Sequence, residues 1–275
     1  MKFSCDKYVL QQAAASAARA AAAKSPIPTL EGLLIEAGAS VRITGYDLKK
    51  AIYTTIDADI PEPGSVLIGA RLFCEMLRRM PDGIVTVEAE NGTVSVQCGK
   101  AAFNLVGLSA DDYPDLPTVE AENGVSLPQD LLKKMINECS FAVSTNESRP
   151  VYMGTLFEIE NNVLTMVSVD GYRLALRREA VEGYGDDCSF IVPGTALSDL
   201  ERLCGDSDER VMLSVGSKHI SFTVGNTVIL SRRLEGDFLN YKKAIPESFR
   251  VTVKTARTDL LEVVERVSLI IDSKN

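Results

Sequence analysis

The 275-residue chain repeats itself at the length of a whole domain, which restricts it to folds built from copies of one unit. Val125-Ser126-Leu127 leads into a helix predicted over 129–139, as Phe3 leads into one predicted over 6–24. Gly154-Thr155-Leu156-Phe157-Glu158 echoes Gly32-Leu33-Leu34-Ile35-Glu36, and Gly171-Tyr172-Arg173-Leu174 echoes Gly45-Tyr46-Asp47-Leu48. Ser189-Phe190-Ile191-Val192 precedes a helix around 196–203 as Ser65-Val66-Leu67-Ile68 precedes one at Arg71, and Asp237-Phe238-Leu239-Asn240 closes the second copy much as Asp112-Tyr113-Pro114-Asp115 closes the first. A third copy begins at Arg250-Val251-Thr252-Val253, with a helix from Thr258 to about Ile270. With Phe3, Leu127 and Val253 as equivalents, the spacings are 124 and 126 residues. Only 22 residues follow Val253, too few for a unit of this size, so the third repeat is expected to be truncated.

Within each copy helices alternate with short hairpin strands. Leu72, Phe73, Met76, Leu77 and Met80 make a helical stripe closed by Pro81-Asp82-Gly83. The segments 84–87 and 93–96 alternate apolar and polar residues across Asn91-Gly92, the dipeptide suited to the left-handed positions of a tight hairpin turn. Pro26 and Pro28 are expected to end the first helix. The expected class is α+β with antiparallel sheets, in domains at 1–120 and 125–245 and the start of a third at 249–275.

The composition, 45% hydrophobic and 24% charged, suits a packed core and excludes disorder over most of the length. Six cysteines are scattered without a Cys-x-x-Cys pair, so neither a zinc site nor a disulfide framework is expected, and a reducing cytoplasm fits. The alanine-rich run after Tyr8 is interrupted by Gln11, Gln12, Ser16 and Arg19 and reads as a helix that spans no membrane. Catalytic signatures are missing. His219 lies in an alternating strand-like stretch, Gly92–Lys100 lacks the spacing and the hydroxyl of a phosphate loop, and Asp57/Asp59 and Asp206/Asp208 lack further ligands at calcium-loop spacing. No nucleophile elbow or dinucleotide fingerprint occurs.

A net charge of −9 runs against phosphate binding, which rests on clustered Lys and Arg. The placement of charge softens the objection. The five predicted helices (6–24, 71–80, 128–139, 194–204 and 257–268) hold eleven Lys or Arg against nine Asp or Glu, leaving −11 for the rest, and the first copy's two helices hold six against two. A small positive face on an acidic body suits weak, sequence-blind phosphate contact; the competing reading is a set of solvated helix faces.

Met1-Lys2-Phe3, Pro28-Thr29-Leu30, Asp112-Tyr113-Pro114, Asp170-Gly171-Tyr172-Arg173-Leu174-Ala175 and Phe190-Ile191-Val192-Pro193 stand, with the echoes above, in a specific order and spacing. Over its whole length the chain resembles the bacterial DNA polymerase III β subunits, the sliding clamps. The resemblance implies a three-domain subunit that dimerises head to tail into a ring, helices lining the hole and sheets outside, around double-stranded DNA of any sequence. It implies a cytoplasmic processivity factor with no cofactor and no active site of its own, any polymerase activity belonging to the holoenzyme. The implied partners are the polymerase III α subunit, the ATP-driven clamp loader complex, other clamp-motif proteins and a second copy of the chain. The alternative is a ring-incompetent fragment acting only as a peptide-binding module.

By position, the resemblance implies DNA-lining roles for Lys24, Arg71, Arg78 and Lys100, with Asn146 and Arg149 on a loop of the second copy. It implies a partner-peptide pocket walled by Tyr152, Val169, Gly171, Tyr172, Arg173, Leu174, Leu239, Lys243 and Ala244. Pro150-Val151 stand where some clamps carry paired tyrosines, and Gly194-Thr195 where a basic pair often follows the Val-Pro step.

Overall fold

A computed structural model describes residues 1–120 and 123–271. The first copy runs β1 (Lys2–Asp6), α1 (Lys7–Ala18), β2 (Gly32–Ala37), β3 (Val41–Tyr46), β4 (Lys50–Ile56), β5 (Asp59–Glu62), β6 (Gly64–Gly69), α2 (Ala70–Arg79), β7 (Ile84–Glu90), β8 (Thr93–Cys98) and β9 (Ala101–Leu108). The second runs β10 (Asn123–Pro128), α3 (Gln129–Ser140), β11 (Gly154–Glu160), β12 (Val163–Val169), β13 (Leu174–Ala180), β14 (Glu182–Tyr184), β15 (Cys188–Pro193), α4 (Gly194–Leu203), β16 (Arg210–Val215), β17 (His219–Val224) and β18 (Thr227–Arg232). The order of helices and strands is the same in both, so the repeat read from the sequence is a repeat of structure.

The described strand pairs are antiparallel and form two sheets. One has fourteen strands, β14-β10-β16-β17-β18-β4-β3-β2-β6-β9-β8-β7-β1-β5, and the other four, β13-β12-β11-β15. The large sheet crosses from copy to copy because β18 pairs with β4, Thr227 opposite Thr54 through Ser231 opposite Lys50. Each copy packs its two helices on its strands. Phe3, Leu10, Ile43, Phe73 and Val96 lie in one buried cluster, and Leu132, Phe157, Leu197 and Phe222 in another. A smaller cluster spans the two copies through Tyr46, Ala51, Tyr113 and Leu230. Met1–Phe238 thus form one compact unit.

Helix α1 is built for close packing. Asp6 caps it by accepting from the Tyr8 and Val9 N–H groups at 2.8 and 3.3 Å, and Leu10, Ala13, Ala14 and Ala17 are buried. A Cβ on Gly45 of β3 would lie 2.1 Å from the Ala17 carbonyl oxygen, so strand and helix touch only because the strand offers glycine and the helix alanine. The helix stops at Ala18, well before the prolines expected to end it. The Ala20 and Ala21 N–H groups turn to the Ala17 and Ala18 carbonyls, and the Ala22 N–H donates to the Leu30 carbonyl at 2.8 Å, so the chain has already bent back. Arg19 and Lys24 therefore fall outside the helix. The five main helices, with α6 defined below, hold nine Lys or Arg against eight Asp or Glu, about half the predicted excess.

A second compact unit begins at Leu239. It contains α5 (Tyr241–Ala244), whose Asn240 cap accepts from the Lys243 N–H, and α6 (Arg257–Ser268), which has no buried residue. Residues 251–256, where the third copy begins, lack strand structure. In the first two copies, by contrast, the opening strand pairs with strands far along the chain, Lys2 with Glu88 and Leu127 with Val211.

Candidate functional site

The six residues proposed to face DNA are all exposed. Lys24 lies in irregular chain after α1, and Arg71 on the first turn of α2. Arg78, on the last turn of α2, donates to Glu75 Oε2 at 2.7 Å, and Arg79 lies 3.8 Å from the same oxygen. Lys100 sits in the tight β8–β9 turn after Gly99, whose φ is +58°. Asn146 and Arg149 share one loop. The Asn146 side chain accepts from the Ser148 N–H at 3.0 Å and its carbonyl from the Arg149 N–H at 3.2 Å, which holds the loop while leaving the Arg149 guanidinium outward.

The proposed pocket residues of the first unit gather around the β12–β13 turn and the loop before β11. Asp170 makes the turn: its Oδ1 accepts from the Tyr172 and Arg173 N–H groups at 3.0 and 3.1 Å, and its Oδ2 from Arg173 Nε at 2.8 Å. The Tyr172 N–H and then the Arg173 side chain hold the Asp170 carboxyl below the usual carboxylate range. Gly171 carries the turn's left-handed φ of +94°. The result is a buried Val169, a half-buried Leu174 and a Tyr172 side chain that is 100% exposed. The Arg173 guanidinium lies 5.6 Å from the Phe141 ring centre, and Tyr152 packs edge-on to Phe238 at 5.5 Å. Leu239, Lys243 and Ala244 belong to the second unit, where all three are exposed.

The first copy holds the same turn, three residues away from the register that sequence echoes suggest. Tyr46 opposite Ala51 and Val169 opposite Leu174 each enclose four residues. Asp47 Oδ1 accepts from the Lys49 and Lys50 N–H groups at 2.9 and 2.8 Å, as Asp170 does from Tyr172 and Arg173, and Leu48 has a φ of +70° where the second copy has Gly171. So Asp47-Leu48-Lys49-Lys50 matches Asp170-Gly171-Tyr172-Arg173. Hydrogen-bonding role, rather than residue identity, is what the turns share, and only the fold reveals it.

Sequence reasoning also missed the joint between the copies. Along β4 and β18 the Thr54 and Thr227 hydroxyls meet at 2.9 Å in the interior. The buried Asp199 carboxylate of α4 receives Lys50 from the first copy, with Arg19 at 4.0 Å. Structural equivalence then identifies a second surface. Leu67 opposite Leu108 corresponds to the bridge of Ile191 with Leu234, so β9 is the counterpart of β18 and α2 of α4. Ile229, opposite Ile52 of β4, and Ala196, in the same buried cluster, are 0% and 1% exposed, whereas their counterparts Phe103 and Leu72 are 43% and 60% exposed. The apolar stripe of α2 marks Leu72 as apolar, but nothing local says that it stays exposed while its counterpart is buried.

Among the described residues no three His, Cys, Asp or Glu side chains converge as metal ligands, and no helix is long and apolar enough to cross a membrane.

Comparison with known proteins matches residues 1–117 to the family model "DNA polymerase III beta subunit, N-terminal domain" and residues 126–240 to "DNA polymerase III beta subunit, central domain". The beta sliding clamp of Bacillus subtilis is 32% identical over 282 residues, covering 98% of this chain and 74% of the relative, and that of Halalkalibacterium halodurans is 31% identical with the same coverage. The chain thus spans about three quarters of these relatives. The crystal structure of a putative DNA polymerase III beta subunit from Eubacterium rectale superposes with a TM-score of 0.95 at 30% identity, over 100% of this chain and 76% of that one. The griselimycin-bound sliding clamp from Pseudomonas aeruginosa superposes with a TM-score of 0.94 at 26% identity, over 100% and 75%. With both copies of the repeat matched in sequence and in fold, the chain belongs to the bacterial DNA polymerase III β-subunit family, the sliding clamps.

Proposed function

We propose that the chain acts as a sliding clamp of the bacterial replicative polymerase: a cytoplasmic processivity factor, without an active site of its own, that closes head to tail with a second copy around double-stranded DNA. In this reading the domains run 1–120 and 125–245, with a third beginning at 249. Lys24, Arg71, Arg78, Lys100, Asn146 and Arg149 touch phosphates without reading sequence. The pocket around Tyr172 and Leu174 takes peptides of the polymerase III α subunit, the clamp loader complex and other clamp-motif proteins by seating a few apolar side chains.

One observation carries the ring: the β4–β18 joint supplies a template, and two half-joints stand open among the described residues. Residues 101–106 of β9 pair on one side only, with β8, since β6 reaches just Gly107 and Leu108. β13, the counterpart of β4, pairs only with β12. Joints of the same kind at both edges would place a following domain on β13 and a preceding one on β9. Head-to-tail contacts of this sort close into a ring when the rotation per domain permits. A second reading, a peptide-binding fragment unable to close, draws support from α6, which buries no side chain. Sedimentation velocity separates them. The clamp reading expects a dimer that Phe103→Asp converts to a folded monomer; a monomer at all concentrations overturns closure for this chain and favours the fragment.

A further inference from the structure

The Asp47–Lys50 turn, which matches the β12–β13 turn, is covered by the second copy, and the two copies enclose a cavity of about 700 Å³ there. Leu48, Pro150, Met153, Pro193 and Leu234 supply apolar walls, and no aromatic ring lines the cavity. Leu48 marks the opening. Its φ of +70° is a region where leucine is disfavoured by about 1–2 kcal/mol, yet it is held there by the Asp47 hydrogen bonds with its side chain half exposed. A strained apolar residue at the mouth of a cavity points to a ligand.

The charges at the mouth state what kind. Arg232 is matched by Glu235 at 2.9 Å and Lys50 by Asp199. Arg233 donates to the carbonyls of Gly216, Ser217 and Ser189 and lies over the Phe190 ring, so the cation left to a ligand is Lys49, exposed and with no ion-pair partner among the described residues; the lining Asp47 is engaged by the Lys49 and Lys50 N–H groups. Where the second copy presents Tyr172, the first presents Lys49. Aliphatic walls without a ring for a base to stack on favour a peptide over single-stranded nucleic acid, and the unpaired Lys49 favours an acidic one.

We propose that the cavity at this first joint is a second docking site, taking a short acidic segment of another protein that inserts aliphatic side chains between Leu48 and Leu234 and sets a carboxylate against Lys49. The likeness to the second copy's turn rests on the peptide-pocket reading above; the cavity and its charges stand without it.

The test is fluorescence anisotropy with a capped, labelled hexapeptide alternating aspartate and leucine, titrated into this chain. Saturable binding is expected, weakened at least ~10-fold by Lys49→Glu and by Leu48→Asp. Asp tolerates the left-handed backbone at position 48, so an unchanged thermal melt separates lost binding from lost fold. Tyr172→Ala should leave binding intact. No saturation up to millimolar peptide overturns the proposal, as does binding that ignores both first-copy variants. Loss with Tyr172→Ala alone assigns the peptide to the other pocket and overturns it too. Stronger displacement by a six-nucleotide oligothymidylate than by unlabelled peptide replaces it with a nucleic-acid site. None of these outcomes depends on the oligomeric state by which ring closure is judged.

Discussion

Asp47 and Asp170 do the same work at two places in the chain, each folding a four-residue turn by accepting two backbone N–H groups. Replacing Asp47 by alanine should cost about 1 kcal/mol in urea unfolding, the value of a lost turn or cap hydrogen bond. Asp170 adds a pH dependence whose sign follows from its lowered pKa. Its stabilisation is fully present above 3.8, the unfolded value, and is lost as pH falls through the lower folded value. The stability gap between parent and Asp170→Ala should therefore hold from neutral pH to about pH 4 and narrow below it; a gap that closes at higher pH would contradict the geometry. Burial acts on the thiols in the opposite direction, pushing Cys5 up to about 12 and Cys74, Cys139 and Cys204 up to about 11. At pH 8 these four should resist a disulfide reagent in the native chain, with all six cysteines reacting after denaturation.

Elements whose signals are local are legible in the amino-acid sequence alone. Asn91 and Gly92 take φ values of +50° and +75° in the expected hairpin turn, and Phe73, Met76, Leu77 and Met80 are buried as the helical stripe requires. What is not legible there depends on distant partners. The end of α1 is decided by Gly45 and Leu30 rather than by Pro26, and the β4–β18 joint leaves no mark within a few residues of either strand. The peptide-pocket and DNA positions follow from family resemblance, since exposed Lys, Arg and Tyr have no periodicity to betray them. Asp199 is the sharpest test of the joint. Its side chain is 9% exposed and Lys50's 14%, so Asp199→Ala strands a largely buried ammonium and should cost about 3 kcal/mol. Pairing it with Lys50→Met should recover most of that loss, which a double-mutant cycle by thermal unfolding would reveal.

On the scale of the whole molecule, the proposed function has an acidic chain with net charge −9 hold a polyanion by enclosure rather than by affinity. A few exposed cations then suffice. Arg71→Gln and Arg78→Gln should each lower the slope of log affinity against log salt by about 1, with no change in sequence preference. Arg78 should show the smaller effect, because Glu75 already engages it at 2.7 Å. Enclosure itself makes the most exposed claim. Loaded by the clamp loader onto nicked circular duplex, the assembled protein should remain bound through high-salt gel filtration and be released within minutes once the circle is cut to a linear form with free ends. Equal retention on circle and linear DNA would mean that it grips rather than encircles, and would contradict the account.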